Sequence, residues 1–180
     1  KIKAFKDVNS LKLAYESGEV DLAFGLTGEI AKELKDKKKN VIDFDAAYQY
    51  YTFLNLENDI LKDPAVREAI DKGIDREAIK KTLDGGTIPT GLFAGYNSFD
   101  AKIAATYNIN EAKALLDNSG WKLEDGAKYR TKDGKELALS IKTYSSKADL
   151  PKVSQTIASE LEKLGIKVTV EVVDDISKVT

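Results

Sequence analysis

Carboxylates and phenols are the groups in this 180-residue chain most able to do chemistry, because it contains neither histidine nor cysteine. Without a thiol there is no disulfide, thiolate metal site or cysteine nucleophile. Without an imidazole the commonest general base and transition-metal ligand is missing. Asp43 and Asp45 flank Phe44 and would share one strand face. Two carboxylates so placed can divide acid and base work, although an exposed strand face is the plainer reading. Residues 48–53 read YQYYTF, so Tyr48, Tyr50 and Thr52 point one way and Gln49, Tyr51 and Phe53 the other. Packing accounts for one of these faces. The other is either a second core layer or a surface that meets a ligand with ring and hydroxyl together. Gly85-Gly86 lacks the spacing of a phosphate loop and reads as a helix stop. Lys37, Lys38 and Lys39 read as a solvated helix end. No Ser-His-Asp set, Cys-His set or HExxH motif is present.

The remaining composition is that of an ordinary globular protein, 42% hydrophobic and 32% charged with a net charge of −2. Acidic and basic residues are mixed along the whole length, so no basic footprint for nucleic acid is expected. No apolar run approaches the roughly 18 residues of a membrane span. The chain starts at Lys1 and has no Met. It is therefore expected to be part of a longer protein whose targeting segment lies elsewhere.

Patterning places the elements that would position these residues. Residues 2–5, 20–24, 41–44 and 48–56 are expected strands, the last rich in aromatic and β-branched residues. Between them Asn9 is expected to cap a helix over 10–17 closed by Gly18, and Thr27 to cap one running through Lys35. That alternation is the grammar of an α/β sheet. The composition changes near Asn55. Asp63 and Pro64 open a helix with Val66, Ala69 and Ile70 inward, ended by Gly73. Asp75 opens another with Ala78, Ile79 and Leu83 inward. Residues 87–106 lack periodicity and are expected to form a long surface loop. Asn108 and Glu111 form a capping box for a helix that ends at Gly120, and Trp121 should pack back on it. Asp125-Gly126 and Asp133-Gly134 are turns bracketing a polar excursion. Strand 137–143, helix 151–164 and strand 166–173 should make a right-handed, parallel βαβ unit. Asp174-Asp175 should end its last strand and cap the next helix.

Residues 63–86, DPAVREAIDKGIDREAIKKTLDGG, closely resemble the signature of the bacterial extracellular solute-binding proteins of family 5, the peptide/nickel class. Three further segments fit the family in the expected order: VNSLKLAYESGEVDLAFGL at 8–26, NINEAKALLDNSGW at 108–121 and QTIASELEKLGIKVTVEV at 155–172. The polar stretch WKLEDGAKYRTKDGKEL after the third looks closer to the nickel and metal-chelate branch than to the dipeptide branch.

The resemblance implies an α/β, periplasmic-binding-protein-like fold of class II, of which this chain is an internal fragment. Residues 1–50 would belong to the first lobe, 51–57 to a hinge-crossing strand and 58–180 to the second lobe. Its implied function is the substrate-binding component of an ABC importer, which closes on a short peptide or metal chelate and delivers it to membrane permease subunits. No catalysis, cofactor or nucleic acid is implied. The setting is extracytoplasmic, in the periplasm or as a cell-surface lipoprotein, and the state a monomer. Tyr51, Thr52 and Phe53 on the crossing strand are the implied ligand contacts, with Thr27 as a further one. Arg67 and Arg76 are expected to be structural, pairing with carboxylates such as Asp63 or Asp71. Nickel held by this segment alone would find only oxygen donors, so a nickel cargo is expected inside a chelate. Two alternatives stay open: a peptide-sensing receptor of the same fold uncoupled from transport, and an enzyme using carboxylates and tyrosines in a cleft.

Overall fold

The computed structural model describes residues 1–44, 49–93, 98, 100, 102–103 and 105–179. Helix α1 (Val8–Glu16) is capped by Asp7, whose carboxylate accepts from the Ser10 amide at 2.9 Å. Asn9 therefore lies inside the helix. Asp7 wins because it precedes a complete first turn whose amides it can reach. Helix α2 (Gly28–Asp36) comes next, with Ile30 and Leu34 buried. Helices α1 and α2 are tied by charge. Glu33 takes the ammoniums of Lys12 and Lys37, and Lys37 also reaches Glu16 at 2.7 Å.

The four expected strands of this region do not form. No ladder occurs among the described residues of 2–5, 20–24, 41–44 and 49–56. A strand exists only through a neighbour that closes its backbone hydrogen bonds. Among the described residues none of these segments is paired in a ladder, and large side chains such as Leu22 and Ile42 stay uncovered. Phe24 and Phe44 instead stack on each other, ring centroids 5.8 Å apart. Asp43 pairs with Lys35 at the surface, while Asp45 and Tyr48 lie outside the described residues.

The larger core is built by the second part of the chain. Helix α3 (Pro64–Gly73) starts as expected, with Asp63 capping Ala65 and Pro64 at the first position. Helix α4 (Arg76–Thr82) is capped by Asp75, and α5 (Ile109–Asn118) by Asn108. The capping box at α5 is incomplete. Glu111 meets the Asn108 side-chain amide, while the Asn108 backbone N–H donates to the Lys72 carbonyl and so ties α5 to α3.

Strands β1 (Thr131–Lys132) and β2 (Lys135–Glu136) form a hairpin inside the expected polar excursion. Asp133 and Gly134 both have positive φ (51° and 75°), the geometry that a two-residue hairpin turn requires. Strand β3 (Ala138–Tyr144), helix α6 (Asp149–Glu162) and strand β4 (Lys167–Val173) are the expected βαβ unit, and the two strands pair in parallel. Asp175 caps a closing 3₁₀ turn, Ile176–Lys178. Val66, Ala69 and Ile70 of α3, Ala112 and Leu116 of α5, Val153, Ile157 and Leu161 of α6, and Trp121, Leu137, Leu164 and Ile166 join in one buried cluster.

Arg130 is the buried charge on which this cluster closes, at 2% exposure. Its Nε donates to the Leu164 carbonyl at 2.6 Å, and its Nη1 donates to the Trp121 carbonyl at 2.7 Å and to Asp117 at 2.6 Å. These acceptors gather at the C-terminal ends of α5 and α6, where unpaired carbonyls and the helix dipole favour a cation. Gly165 admits the guanidinium stem: a Cβ there would sit 3.0 Å from Arg130 Cγ, and its φ of 82° suits glycine alone.

Replacing Arg130 by Met would leave two carbonyls unpaired. It should lower stability by about 3 kcal/mol, measured as a shift of the urea midpoint. Glu33 is held down to about 2 from its usual 4.5, first by the hydrogen bond from Lys12 and then by that from Lys37. Because the folded-state value is depressed, its contribution is complete above about pH 4.5 and is lost as pH falls towards 2. A carboxyl NMR titration should find the Glu33 midpoint near 2. A midpoint near 4.5 would show that the α1–α2 ion pairs do not hold in solution.

Candidate functional site

The residues between the two parts of the chain keep the alternation read from YQYYTF. Tyr50 and Leu54 are half-buried against the large core, whereas Tyr51 and Phe53 are 60% and 85% exposed. The two exposed rings meet edge to face, centroids 5.1 Å apart, an arrangement that aromatic quadrupoles favour. Thr52 is exposed too. The crossing segment therefore carries its packing on one side and an open aromatic pair on the other. Gln49 donates to the Leu92 carbonyl, which brings residue 92 against the crossing segment.

A cavity of about 160 Å³ opens beside this segment. It is lined by Gly28 from α2, Tyr50 from the crossing, Leu83, Gly85 and Gly86 from the end of α4, and Asp149 from the start of α6. The local sequence explains why these groups can meet. Gly28 lies hard against the Leu83 carbonyl, and any Cβ there would clash with it. Gly86, at φ 89°, turns the chain away after α4. Two ion pairs flank the cavity, Lys32–Asp84 at 3.0 Å and Lys152–Glu29. The Tyr50 hydroxyl reaches Asp149 at 3.4 Å.

Of the four residues expected at a site, Tyr51 and Phe53 stand together on the open side of the crossing, and Thr52 is exposed between them in sequence. Thr27 is the N-cap of α2, its hydroxyl facing the Ile30 amide at 3.4 Å, and is next in sequence to cavity-lining Gly28. Tyr50 and Asp149 escape a reading of the sequence. Tyr50 is visible there only as the inward partner of an alternation, and no motif marks Asp149. Gly85-Gly86 is the expected helix stop and also part of the cavity wall.

The two arginines of the 63–86 segment make local contacts. Arg76 pairs with Asp71, as expected, and caps carbonyls of Asp71 and Ile74. Arg67 departs from expectation: it donates to the carbonyls of Leu61 and Lys62 at 2.8 and 2.9 Å, because Asp63 is occupied with capping. No cluster of acidic residues suited to a metal ion occurs among the described residues. The carboxyls of Asp7, Glu33, Asp59 and Asp175 are each lowered by a cap or an ammonium, the opposite of the shift a general acid needs.

Substituting Val for Gly28 should push the start of α2 away from the Leu83 carbonyl. The Lys32–Asp84 and Lys152–Glu29 pairs would open, with little change in far-UV circular dichroism. A crystal structure of the variant checks this, and unchanged pairs would refute the packing argument.

This chain is similar to known proteins in sequence and in fold. The oligopeptide-binding protein AppA of Bacillus subtilis is 28% identical over 180 residues, covering 96% of this chain and 33% of the relative. An oligopeptide-binding protein OppA of Lactococcus lactis is 28% identical over 176 residues, covering 87% and 29%. The chain thus spans about a third of the length of the relatives it matches. The structure of Bacillus subtilis AppA in complex with a nonapeptide matches with a TM-score of 0.77 at 26% identity, covering 95% of this chain and 35% of that one. NikA from Brucella suis in complex with Fe(III)-EDTA matches with the same TM-score of 0.77 at 25% identity, covering 98% and 37%. The fold is accordingly the expected α/β, periplasmic-binding-protein-like one. Residues 1–179 match the family model described as "Bacterial extracellular solute-binding proteins, family 5 Middle". By sequence and by fold, this chain belongs to the bacterial extracellular solute-binding proteins of family 5.

Proposed function

We propose that this chain is the middle portion of the solute-capturing component of an ABC importer, holding a short peptide or a metal chelate between two lobes and handing it unchanged to a membrane permease. The observation that carries this reading is the crossing segment. Its inner residues are fixed on the large core, while Tyr51 and Phe53 are offered to solvent as a paired aromatic surface next to a cavity. A hydrophobic pair left outside a packed core costs free energy unless it has something to cover.

In this reading residues 1–50 belong to one lobe, 58–180 to the other, and 51–57 is where they meet. Tyr51, Thr52 and Phe53 touch the solute, with Thr27 shaping the α2 end of the same cleft. The protein acts outside the cytoplasm, as a monomer without a cofactor. A metal cargo arrives within a chelate, since the side chains here offer oxygen donors only. Binding free energy comes from closure around the guest, so capture requires no bond making.

Calorimetric titration of the full-length receptor with pentapeptides and with nickel-EDTA tests the proposal. Micromolar or tighter binding to one class is expected. Truncating Tyr51 or Phe53 to Ala should weaken it by roughly 1–2 kcal/mol each, with melting temperature little altered. Absence of binding to both classes, alongside measurable turnover of any substrate, would sink it.

A further inference from the structure

Among the described residues two ion pairs join residues 1–44 to residues 58–180, Lys32–Asp84 and Lys152–Glu29. Both leave from one helix. Glu29 and Lys32 are three residues apart in α2 and so share a face. Their partners come from separate elements, Asp84 directly after the C-cap of α4 and Lys152 near the start of α6. Each side of this seam therefore offers one acid and one base. Setting Glu29 against Asp84 would also set Lys32 against Lys152, so one register attracts and the exchanged register repels. The ammoniums of Lys32 and Lys152 are both held above the usual lysine range, each first by the hydrogen bond to its own carboxylate. Lys152 feels the Asp149 and Asp84 charges as well, so the seam charges act as a set.

Exposed ion pairs are commonly worth little, and that is the plainer reading of these two. The backbone at Asp84 tells against it. Asp84 has a φ of 52° and is followed by two glycines. Its amide donates to the Lys81 carbonyl just past the end of α4, a left-handed place that glycine fills without strain. Aspartate pays for that conformation, and what its side chain gains is Lys32, 52 residues away. Strain kept for one side chain points to a use for it. The pairs can also open, since their side chains are between 34% and 64% exposed. The contact of Gly28 with the Leu83 carbonyl lies one residue from both Glu29 and Asp84, so the pairs form where the two backbones meet.

We infer that Glu29, Lys32, Asp84 and Lys152 form a reciprocal-charge latch that holds the two parts of the receptor together around a captured solute and sets the rate at which the solute leaves. This rests on the two-lobed capture function proposed above. The latch touches no solute. It acts on any guest alike, by making the seam cost more to open in this register and by admitting no other.

The test follows release of radiolabelled penta-alanine and of radiolabelled nickel-EDTA from the full-length receptor into excess unlabelled probe, with melting temperature measured alongside. Asp84→Asn keeps a side chain that tolerates the left-handed backbone and removes its charge. It should speed release roughly threefold with melting temperature little changed. Asp84→Gly should speed release as much while melting temperature holds or rises, whereas loss of a merely stabilising bridge would lower it. Glu29→Lys sets two ammoniums together and should speed release roughly tenfold. Adding Lys152→Glu should bring the rate back within about twofold of the unsubstituted receptor. Glu29→Lys combined with Asp84→Lys keeps the wrong pairing and should stay fast. Unchanged release in Asp84→Asn and Glu29→Lys, or a Glu29–Lys152 exchange that fails to restore the rate, overturns the latch and leaves solute capture standing. A receptor that holds neither probe removes both. Should Glu29→Lys not fold, Asp84→Asn and Lys152→Gln, each expected to speed release about threefold, decide the matter.

Discussion

A buried guanidinium at the meeting point of two helix ends is the interaction on which this molecule's larger body depends. Helices α5 and α6 both finish inside the fold, and their terminal carbonyls have no intrahelical donors. Arg130 supplies donors to Trp121 and Leu164 at once, and its own charge is answered by Asp117. Buried ions are costly unless every hydrogen-bonding position is used. Here the cost is met because the acceptors come from separate elements, so the guanidinium forms its full set only when α5, α6 and the hairpin are all in place. The same site is reinforced from outside by Lys122 and Lys132, which donate to the Asp117 and Ser119 carbonyls of the α5 end.

From that anchor the geometry of the cavity is set outward. With its C-terminal end fixed, α6 runs back across the parallel β3–β4 pair, and its first turn emerges beside the end of α4. Asp149 is thus placed by a contact at the opposite end of a 14-residue helix. Residues 1–44 have a much smaller buried set, Ala14, Ile30 and Leu34, and meet the larger body where α2 begins. One part of the chain is therefore a stiff platform. The other is held to it by a glycine contact, two ion pairs and the crossing segment.

Much of this organisation is legible in the residues themselves. Caps at Thr27, Asp63, Asp75 and Asn108 are local, requiring only a short polar side chain before an apolar stripe, and each stands where the pattern puts it. The βαβ unit is equally clear, because both strands and the helix lie within one stretch of chain. The early segments mislead for the converse reason. Their patterning is that of strands, but a strand's hydrogen bonds come from a neighbour that local pattern does not contain. Arg130 gives no local signal because its environment is assembled from residues 9 to 34 positions away. Asp149 gives none because a carboxylate near a helix start is ordinarily a dipole effect, and only the third dimension shows that Tyr50, 99 residues earlier, shares its space.

The seam at Gly28 joins two kinds of restraint that respond to different variables. Lys32–Asp84 and Lys152–Glu29 are exposed pairs, and mobile ions weaken such attractions over roughly 8 Å at physiological salt. The contact of Gly28 with the Leu83 carbonyl is steric and indifferent to ionic strength. Raising salt therefore relaxes the pull between the halves without altering how near they can come. The limit of approach is set by the backbone, and its firmness by the medium.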